Sequence, residues 1–244
     1  MSDNASLEIT YQVRVSNRAK HVRLTMSSQQ GLVVVVPKGF KQSRIPALVA
    51  ERRSWIERAT LRFPNIGKTA EELSEPLPRE ISLQAVEQVW KVEYQQTNSA
   101  RVSARSHQAE QVVKVTGNIE DEFACRKALR RWLYRHAQQQ LIPWLRQCSD
   151  NLSLPFDAAS IKGQKTRWAS CSSRRTISIN FQLLFLDKSF VEYVFIHELC
   201  HTKHMNHSPV FWKLVELHSP NYRNVHQGMR GSWQYIPNWL ELVA

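Results

Sequence analysis

The chain has 244 residues, which is enough for one large domain or two small ones with a hydrophobic core. Apolar residues make up 42% of it, and the low counts of Gly (7) and Pro (10) exclude a low-complexity or disordered protein. The longest apolar run, residues 32–36, is far shorter than the roughly 20 residues that a membrane-spanning helix needs, so no such helix is expected.

Charge and cysteine usage bear on partners and compartment. Thirty-three Lys and Arg against 21 Asp and Glu give a net charge of +12, which favours contact with phosphates, nucleic acid or acidic substrates but also serves solubility alone. Residues 1–7 lack the basic start and apolar core of a secretory signal. The four cysteines form no C-x-x-C pair, so we expect reduced thiols in a cytoplasmic protein.

Residues 1–118 are predicted to form a β-rich region with one helix. β-Branched and alternating apolar residues predict strands at 7–15, 22–26 and 32–36. Ser43 as an N-cap and Pro46 in the first turn predict a helix that runs to Ala59. Gly and Pro residues make 64–78 a linker or a long loop. Further strands are expected at 81–83, 89–94 and 112–115.

A helix is expected from Asp121 onward, where the apolar residues change to a helical period. Pro143 should kink this helix or restart it. The other faces of the helix carry a basic cluster. This cluster either is a solvated surface or binds the phosphate backbone of a nucleic acid. The cluster consists of Arg126, Lys127, Arg130, Arg131 and Arg135.

A β-hairpin and a buried helix follow. Segments 161–168 and 176–181 have the pattern of strands and are separated by a polar turn. Asp187 or Ser189 can then cap a helix whose residues 190–199 are apolar on nearly every side, which predicts burial. Three polar residues are expected to be buried within this helix: His197, Glu198 and His201.

These three residues form the pattern H-E-x-x-H, which typifies zinc hydrolases. His197 and His201 are four residues apart and share one helix face, so both imidazoles can bind one zinc ion. Glu198 lies about 100° round the helix and can act as the general base on a water that the zinc activates. The alternative is that both histidines are core residues that bind no metal. Removing two histidines and a glutamate from water is costly, however, and a metal site accounts for this cost better than packing does.

A catalytic zinc site has three protein ligands and one open position. His204 follows His197 by seven residues, which puts it about 10 Å further along the axis of a continuing helix. If the helix instead ends at Asn206 in a left-handed turn, the chain is free to bring His207 back to the metal. The spacing therefore favours His207 as the third ligand, with Glu216 as the second choice.

Segments in both halves of the chain resemble the YgjP-like metallopeptidase domain family, which is related to the SprT-like and WLM proteins. In the C-terminal half the resemblance rests on residues 165–172, 176–180 and 197–212. In the N-terminal half it rests on residues 11–16, 18–24 and 33–40. The resemblance therefore covers most of the chain.

This resemblance implies a zincin-like fold in which His197, His201 and His207 are the metal ligands and Glu198 is catalytic. Ala169 is a departure, because the family usually has Gly after the preceding Trp. The extra methyl group affects how closely the backbone approaches the site, but it does not touch the ligands.

Three functions remain open. The family is assigned to peptidases by its motif, which favours a zinc metallopeptidase whose substrate strand pairs with the hairpin edge at 161–168. Nucleotide hydrolysis has also been attributed to family members, and basic residues precede the site, so the alternative is a nucleoside triphosphate pyrophosphatase or phosphohydrolase. A Gly-rich phosphate loop is missing, however. The third function is a zinc-containing nucleic-acid binder, which would not need the general base.

The sequence thus predicts an α+β protein with a zincin-like catalytic domain at residues 119–244 after the β-rich region. We expect one zinc ion per chain and a peptide, protein or nucleotide substrate. No membrane partner is expected, and the sequence does not indicate the oligomeric state. The expected substrate contacts are Lys165, Arg167 and Trp168.

Overall fold

The computed structural model describes residues 9–27, 31–60 and 75–241, and the chain divides into two units, Met1–Glu72 and Leu73–Ala244. The boundary expected at residue 118 does not coincide with this division. It falls inside the second unit, because the strands before it and the helix after it share one hydrophobic core. Most of the predicted linker lies at 61–74, outside the described residues.

The first unit contains a three-stranded sheet and two short helices. Its strands are β1 (Tyr11–Ser16), β2 (Arg23–Ser27) and β3 (Gly31–Pro37), in the order β1-β3-β2. Strand β3 is central and its valines are buried, as the continuous apolar run predicts. Parallel pairing joins β1 to β3, and antiparallel pairing joins β2 to β3.

The helix predicted in the first unit is two helices, α1 (Ile45–Glu51) and α2 (Arg53–Thr60). Ile45, Val49 and Ile56 pack against the apolar residues of β3. Pro46 lies in the first turn of α1, as predicted. The N-cap prediction for Ser43 is wrong, because a 3-10 turn at Gln42–Arg44 runs directly into α1 and moves the helix start beyond Ser43.

The second unit begins with a four-stranded sheet of order β4-β5-β7-β6. Its strands are β4 (Glu80–Leu83), β5 (Gln88–Gln96), β6 (Ser103–His107) and β7 (Val112–Gly117). Strands β5 and β7 are parallel, and the other pairs are antiparallel. Strand β6 was not predicted from the sequence, because this edge strand contains only one buried apolar residue, Ala104, and has no alternating pattern.

Helix α3 (Glu122–Leu152) packs against this sheet. It begins after Asp121, whose side chain accepts a hydrogen bond from the backbone N–H of Ala124 at 2.9 Å. Of the two alternatives predicted at Pro143, a kink or a restart, the restart is wrong, since the helix is continuous through that residue. The fully buried Leu141 and Leu145 lie on either side of the proline and hold both parts of the helix in the same core.

The basic cluster of α3 serves the fold. Arg131 and Arg135, one turn apart, donate hydrogen bonds to the backbone carbonyls of Val102 and Ala104 at 2.9 and 2.8 Å. Val102 lies just before the edge strand β6 and Ala104 lies within it, so the arginines satisfy carbonyl groups along this edge. Arg126 likewise donates to the carbonyl of Glu75. These contacts explain much of the cluster without a nucleic acid.

A buried polar group lies where β5 meets α3. His136 Nε2 is 2.8 Å from Gln88 Oε1, which also accepts a hydrogen bond from Trp90 Nε1 at 3.0 Å. The His136 ring stacks on Trp132 with centroids 5.3 Å apart. Burial lowers the pKa of His136 from 6.5 to about 4, so the imidazole is neutral in the folded protein at neutral pH.

We expect acidification to destabilise the fold through His136. Between pH 6.5 and 4 the unfolded chain binds a proton that the folded chain does not, so this contribution to stability falls as the pH falls. Urea unfolding with chelator present should show wild type losing about 2 kcal/mol more than His136→Gln between pH 7.5 and 5. Equal losses in both proteins would show that His136 is not responsible.

The last sheet contains β8 (Ala158–Lys162), β9 (Ala169–Cys171) and β10 (Thr176–Asn180), in the order β8-β10-β9. Strands β9 and β10 form the hairpin, while β8 pairs with β10 in parallel. The predicted strand at 161–168 is therefore wrong beyond Lys162, because residues 163–168 form a loop between β8 and β9. A Cβ on Gly163 would collide with the side chain of Tyr134, so this loop lies close against α3.

Four helices complete the second unit. Helix α4 (Lys188–Cys200) carries the H-E-x-x-H residues and is capped by Asp187, which accepts from the Ser189 N–H at 2.8 Å. The others are α5 (Pro209–His218), α6 (Tyr222–Gly228) and α7 (Asn238–Glu241). The predicted α+β class, with a small sheet beside the motif helix, is confirmed. In the residues described, no helix has the length and apolar character to cross a membrane.

Candidate metal centre

Helix α4 places its histidines at its C-terminal end. His197 lies in the last turn, and His201 is the C-cap residue. The helix ends at Cys200, earlier than the predicted end at Asn206, and Asn206 is not in a left-handed conformation. The backbone N–H of His204 still bonds the carbonyl of Cys200 at 3.0 Å, so the chain leaves the helix through consecutive turns that replace the expected single reversal.

The turn after α4 brings a third histidine to the first two. Nitrogen atoms of His197, His201 and His207 all lie within 4.8 Å of one another. The Nε2 atoms of His197 and His207 are 3.1 Å apart. Three nitrogens at about 2.05 Å from a tetrahedral zinc ion would be about 3.4 Å apart, so the cluster is close to the size that zinc requires.

Hydrogen bonds on the far side of two rings leave the Nε2 atoms available for the metal. His201 Nδ1 is 2.9 Å from the carbonyl oxygen of His204, and only a ring N–H can donate to a carbonyl. His197 Nδ1 is 3.4 Å from the hydroxyl of Tyr193. Such outer contacts orient ligand histidines and fix their tautomers in metal proteins.

Aromatic residues of α5 hold the three imidazoles together. Phe211 is fully buried, and its ring lies 5.0, 4.4 and 4.9 Å from the rings of His197, His201 and His207. Trp212 stacks on His207 with centroids 5.5 Å apart. The His207 side chain is exposed to solvent, and this stacking holds it in the cluster.

The imidazoles of His197 and His201 are neutral, which is the protonation state that binds a metal ion. Burial, together with the neighbouring His201 and His207, lowers the pKa of His197 to about 3. Burial also lowers the pKa of His201, against the opposing effect of its bond to the His204 carbonyl. Both groups therefore offer a lone pair at neutral pH.

Glu198 is only 8% exposed and lies beside the hairpin. Burial raises its pKa to about 7, against the opposing effects of a backbone hydrogen bond from Cys171 and the positive charge of Arg167. Its Oε2 atom is buried without a hydrogen-bond partner in the protein. A buried carboxylate oxygen without a partner is costly, so its presence indicates that a water or a substrate group belongs there.

The three predicted substrate residues differ in their placement. Arg167 is exposed and acts on Glu198 electrostatically, so it lies at the site. Lys165 is exposed in the same loop. Trp168 is 9% exposed and stacks on Trp233 with centroids 3.9 Å apart, so its ring is packed inside the protein.

Asn180 holds the loop that carries Arg167. This fully buried side chain donates from Nδ2 to the carbonyls of Gln164 and Arg167 at 2.7 and 3.1 Å. Its Oδ1 accepts from the N–H of Gln182 at 3.1 Å, and its own backbone N–H donates to the carbonyl of Trp168. The Asn180 side chain thus holds the backbone of this loop at Gln164 and at Arg167.

The other candidate ligands lie elsewhere. Glu216 is half exposed and pairs with Arg223 at 3.6 Å. His204 contributes its backbone carbonyl to His201. Over residues 9–27, 31–60 and 75–241, the three histidines are the one group of metal-binding side chains close enough to share an ion. The four cysteines are free thiols outside this cluster.

Four residues around the site were not predicted from the sequence: Tyr193, His226, Phe211 and Asn180. Tyr193 precedes His197 by one helical turn, so helix spacing alone could have identified it. Phe211 and Asn180 are apolar or amide residues in ordinary secondary structure and carry no local signal. His226 lies on a separate helix, and only the tertiary fold brings it to Tyr193.

The chain was compared with solved structures, curated proteins and protein families. The structure is similar to the metallopeptidase zymogen abylysin of Pyrococcus abyssi (TM-score 0.36, 26% identity, 39% of this chain and 96% of that chain). It is also similar to the zymogen jannalysin of Methanocaldococcus jannaschii (TM-score 0.33, 20% identity, 37% and 93%). No curated protein matches the sequence. The profile of one family matches residues 20–231, and the chain therefore belongs to the YgjP-like metallopeptidase domain family.

Proposed function

We propose that the chain is a zinc-dependent metallopeptidase whose zinc is bound by His197, His201 and His207, with Glu198 as the general base. The observation that carries this proposal is the convergence of three imidazoles beside a buried carboxylate whose Oε2 atom has no hydrogen-bond partner in the protein. Membership of a metallopeptidase domain family supports it. A structural zinc site would have no use for the buried acid.

The donor set fits zinc. Three imidazoles leave one position of a tetrahedron open, which is the arrangement of catalytic rather than structural zinc sites. When bound there, zinc would supply a Lewis acid for the peptide carbonyl and lower the pKa of the attacking water. The exposed edge of the cluster at His207 provides access from solvent.

Glu198 would transfer the proton. The N–H of Cys171 orients the carboxylate, and the partner-free Oε2 remains to accept a proton from the attacking water. Because burial raises the pKa to about 7, the protonated form is accessible and can pass the proton to the leaving amine. The positive charge of Arg167 would favour the carboxylate form before the attack.

Strand β9 is the segment best placed to hold a peptide. It is an edge strand of its sheet, and the backbone of its last residue, Cys171, contacts Glu198. An extended substrate could therefore add to this edge through backbone hydrogen bonds. This replaces the edge expected at 161–168, most of which is the loop that carries Arg167.

Nucleotide hydrolysis is a second candidate, because Arg167 supplies a cation beside Glu198 that could bind a phosphate.

The free state of all four cysteines supports a reducing compartment such as the cytoplasm for either activity. Nucleic-acid contact through the +12 charge stays a prediction.

A substrate screen tests the proposal. Zinc-loaded protein, chelator-treated protein and zinc-loaded Glu198→Gln should be incubated with casein, peptide libraries and the four ribonucleoside triphosphates. The proposal predicts peptide-bond cleavage by the zinc-loaded wild type alone. Cleavage confined to triphosphates would replace the peptidase with the phosphohydrolase, and activity that survives in Glu198→Gln would contradict both.

We expect His207→Ala to weaken zinc binding strongly and His204→Ala to weaken it mildly. The His207 ring nitrogen lies in the cluster, whereas His204 acts through a backbone carbonyl that the alanine variant retains. Chelator competition on both variants measures this difference. Stronger loss in His204→Ala than in His207→Ala would contradict the ligand set.

A further inference from the structure

A phenol lies directly behind one of the three histidines. Tyr193 precedes His197 by one turn of α4, is 5% exposed, and has its hydroxyl 3.4 Å from His197 Nδ1. The same hydroxyl is 2.8 Å from Nδ1 of His226, which lies on helix α6. The hydroxyl thus bridges an imidazole of the metal centre and an imidazole outside it.

Counting the protons assigns a direction to this chain of hydrogen bonds. His197 Nε2 faces His207, so it must carry the lone pair for a metal, and Nδ1 must carry the proton. That N–H can only donate to the Tyr193 oxygen. The single hydroxyl proton of Tyr193 is then free to be donated to His226 Nδ1. Every donor in the chain then has one acceptor.

The opposite direction would disable the site. If His226 donated to Tyr193, the hydroxyl proton would point at His197 Nδ1 and force the ring proton onto Nε2. An N–H would then point into the metal cluster. His226 is therefore needed as an acceptor, because it keeps the hydroxyl proton away from His197.

We propose that Tyr193 and His226 are positioning residues that hold His197 in the tautomer and orientation that bind the metal. This inference rests on the proposed function, since it requires His197 to be a ligand. Neither residue is one of the three clustered histidines. Tyr193 contacts the far side of the His197 ring, and His226 acts through Tyr193. Packing supports this arrangement, because the ring of Tyr193 lies against those of both histidines, with centroids 5.9 Å away in each case.

Phenylalanine variants remove the polar atoms and keep an aromatic ring at each position. Tyr193→Phe deletes the bridge, and His226→Phe deletes the acceptor. Tyr94→Phe is the matched control, because it also loses a hydroxyl hydrogen bond, to the Pro78 carbonyl at 2.8 Å, in the four-stranded sheet. Thermal unfolding of the metal-free proteins checks that each variant folds.

Zinc affinity measured by chelator competition is the main readout. Loss of an outer partner of a ligand histidine typically weakens metal binding about 10–100-fold, which we expect for Tyr193→Phe and His226→Phe. The zinc affinity of the double variant should equal that of the single variant with the lower affinity, because both residues belong to one chain of hydrogen bonds. Tyr94→Phe should bind zinc like the wild type.

Nitrogen-15 NMR of the metal-free proteins gives a second readout that does not depend on zinc. His197 should carry its proton on Nδ1 in the wild type and shift toward the Nε2 tautomer in His226→Phe. Unchanged zinc affinity in Tyr193→Phe, or an unchanged tautomer in His226→Phe, would overturn the inference. If the wild type binds no zinc, or His197→Ala binds it as tightly, the proposed function itself fails.

Discussion

Glu198→Gln should fold and bind zinc like the wild type but lose about 10²–10⁴-fold in kcat. The amide has nearly the same volume and can still accept the hydrogen bond from the Cys171 N–H. It cannot accept a proton from the attacking water. Because Glu198 does not belong to the cluster of metal-binding side chains, its replacement should leave the zinc content unchanged.

Stability provides the control for this variant. A neutral amide replaces a buried acidic group, so the thermal midpoint should be unchanged or slightly higher. Turnover, zinc content and thermal midpoint should be measured on the same preparation, with a cleaved substrate identified by the screen. Wild-type turnover in Glu198→Gln at equal zinc content would show that Glu198 is not the base.

His197→Ala and His201→Ala should each remove zinc from the purified protein. Each change deletes one of three protein ligands, and the remaining two imidazoles cannot replace it. The loss of zinc affinity should be larger than the loss caused by removing an outer hydrogen-bond partner, which is about 10–100-fold. His107→Ala, an exposed histidine on the edge strand β6, is the matched control and should keep its zinc.

Elemental analysis after dialysis measures this effect. We expect about one zinc per chain in the wild type and in His107→Ala, and close to none in the two cluster variants. Full occupancy in both His197→Ala and His201→Ala would require a different ligand set. Metal-free wild type after purification in zinc would remove the basis of the site.

Local patterns in the sequence were sufficient to predict which histidines lie close together. His197 and His201 are four residues apart on a buried helix, so helical geometry alone brings their rings together. His207 was predicted from the need for a turn after α4, and the structure does bring it to the cluster. The details of that turn were wrong, because the helix ends at Cys200.

Features that depend on tertiary contacts could not be read from the sequence. Strand β6 is polar and is held at the sheet edge by arginines of α3, which no local pattern reveals. Trp168 was assigned to the substrate cleft, but its stacking partner Trp233 lies 65 residues later in the chain. His226 approaches Tyr193 only when α6 packs against α4.

Anomalous diffraction at the zinc edge from crystals of the zinc-loaded protein would locate the metal ion. We expect one anomalous peak about 2.0–2.1 Å from ring nitrogens of His197, His201 and His207, with Glu198 outside the coordination sphere. A zinc-loaded crystal whose anomalous peak lies elsewhere, or is bound by cysteines, would contradict it.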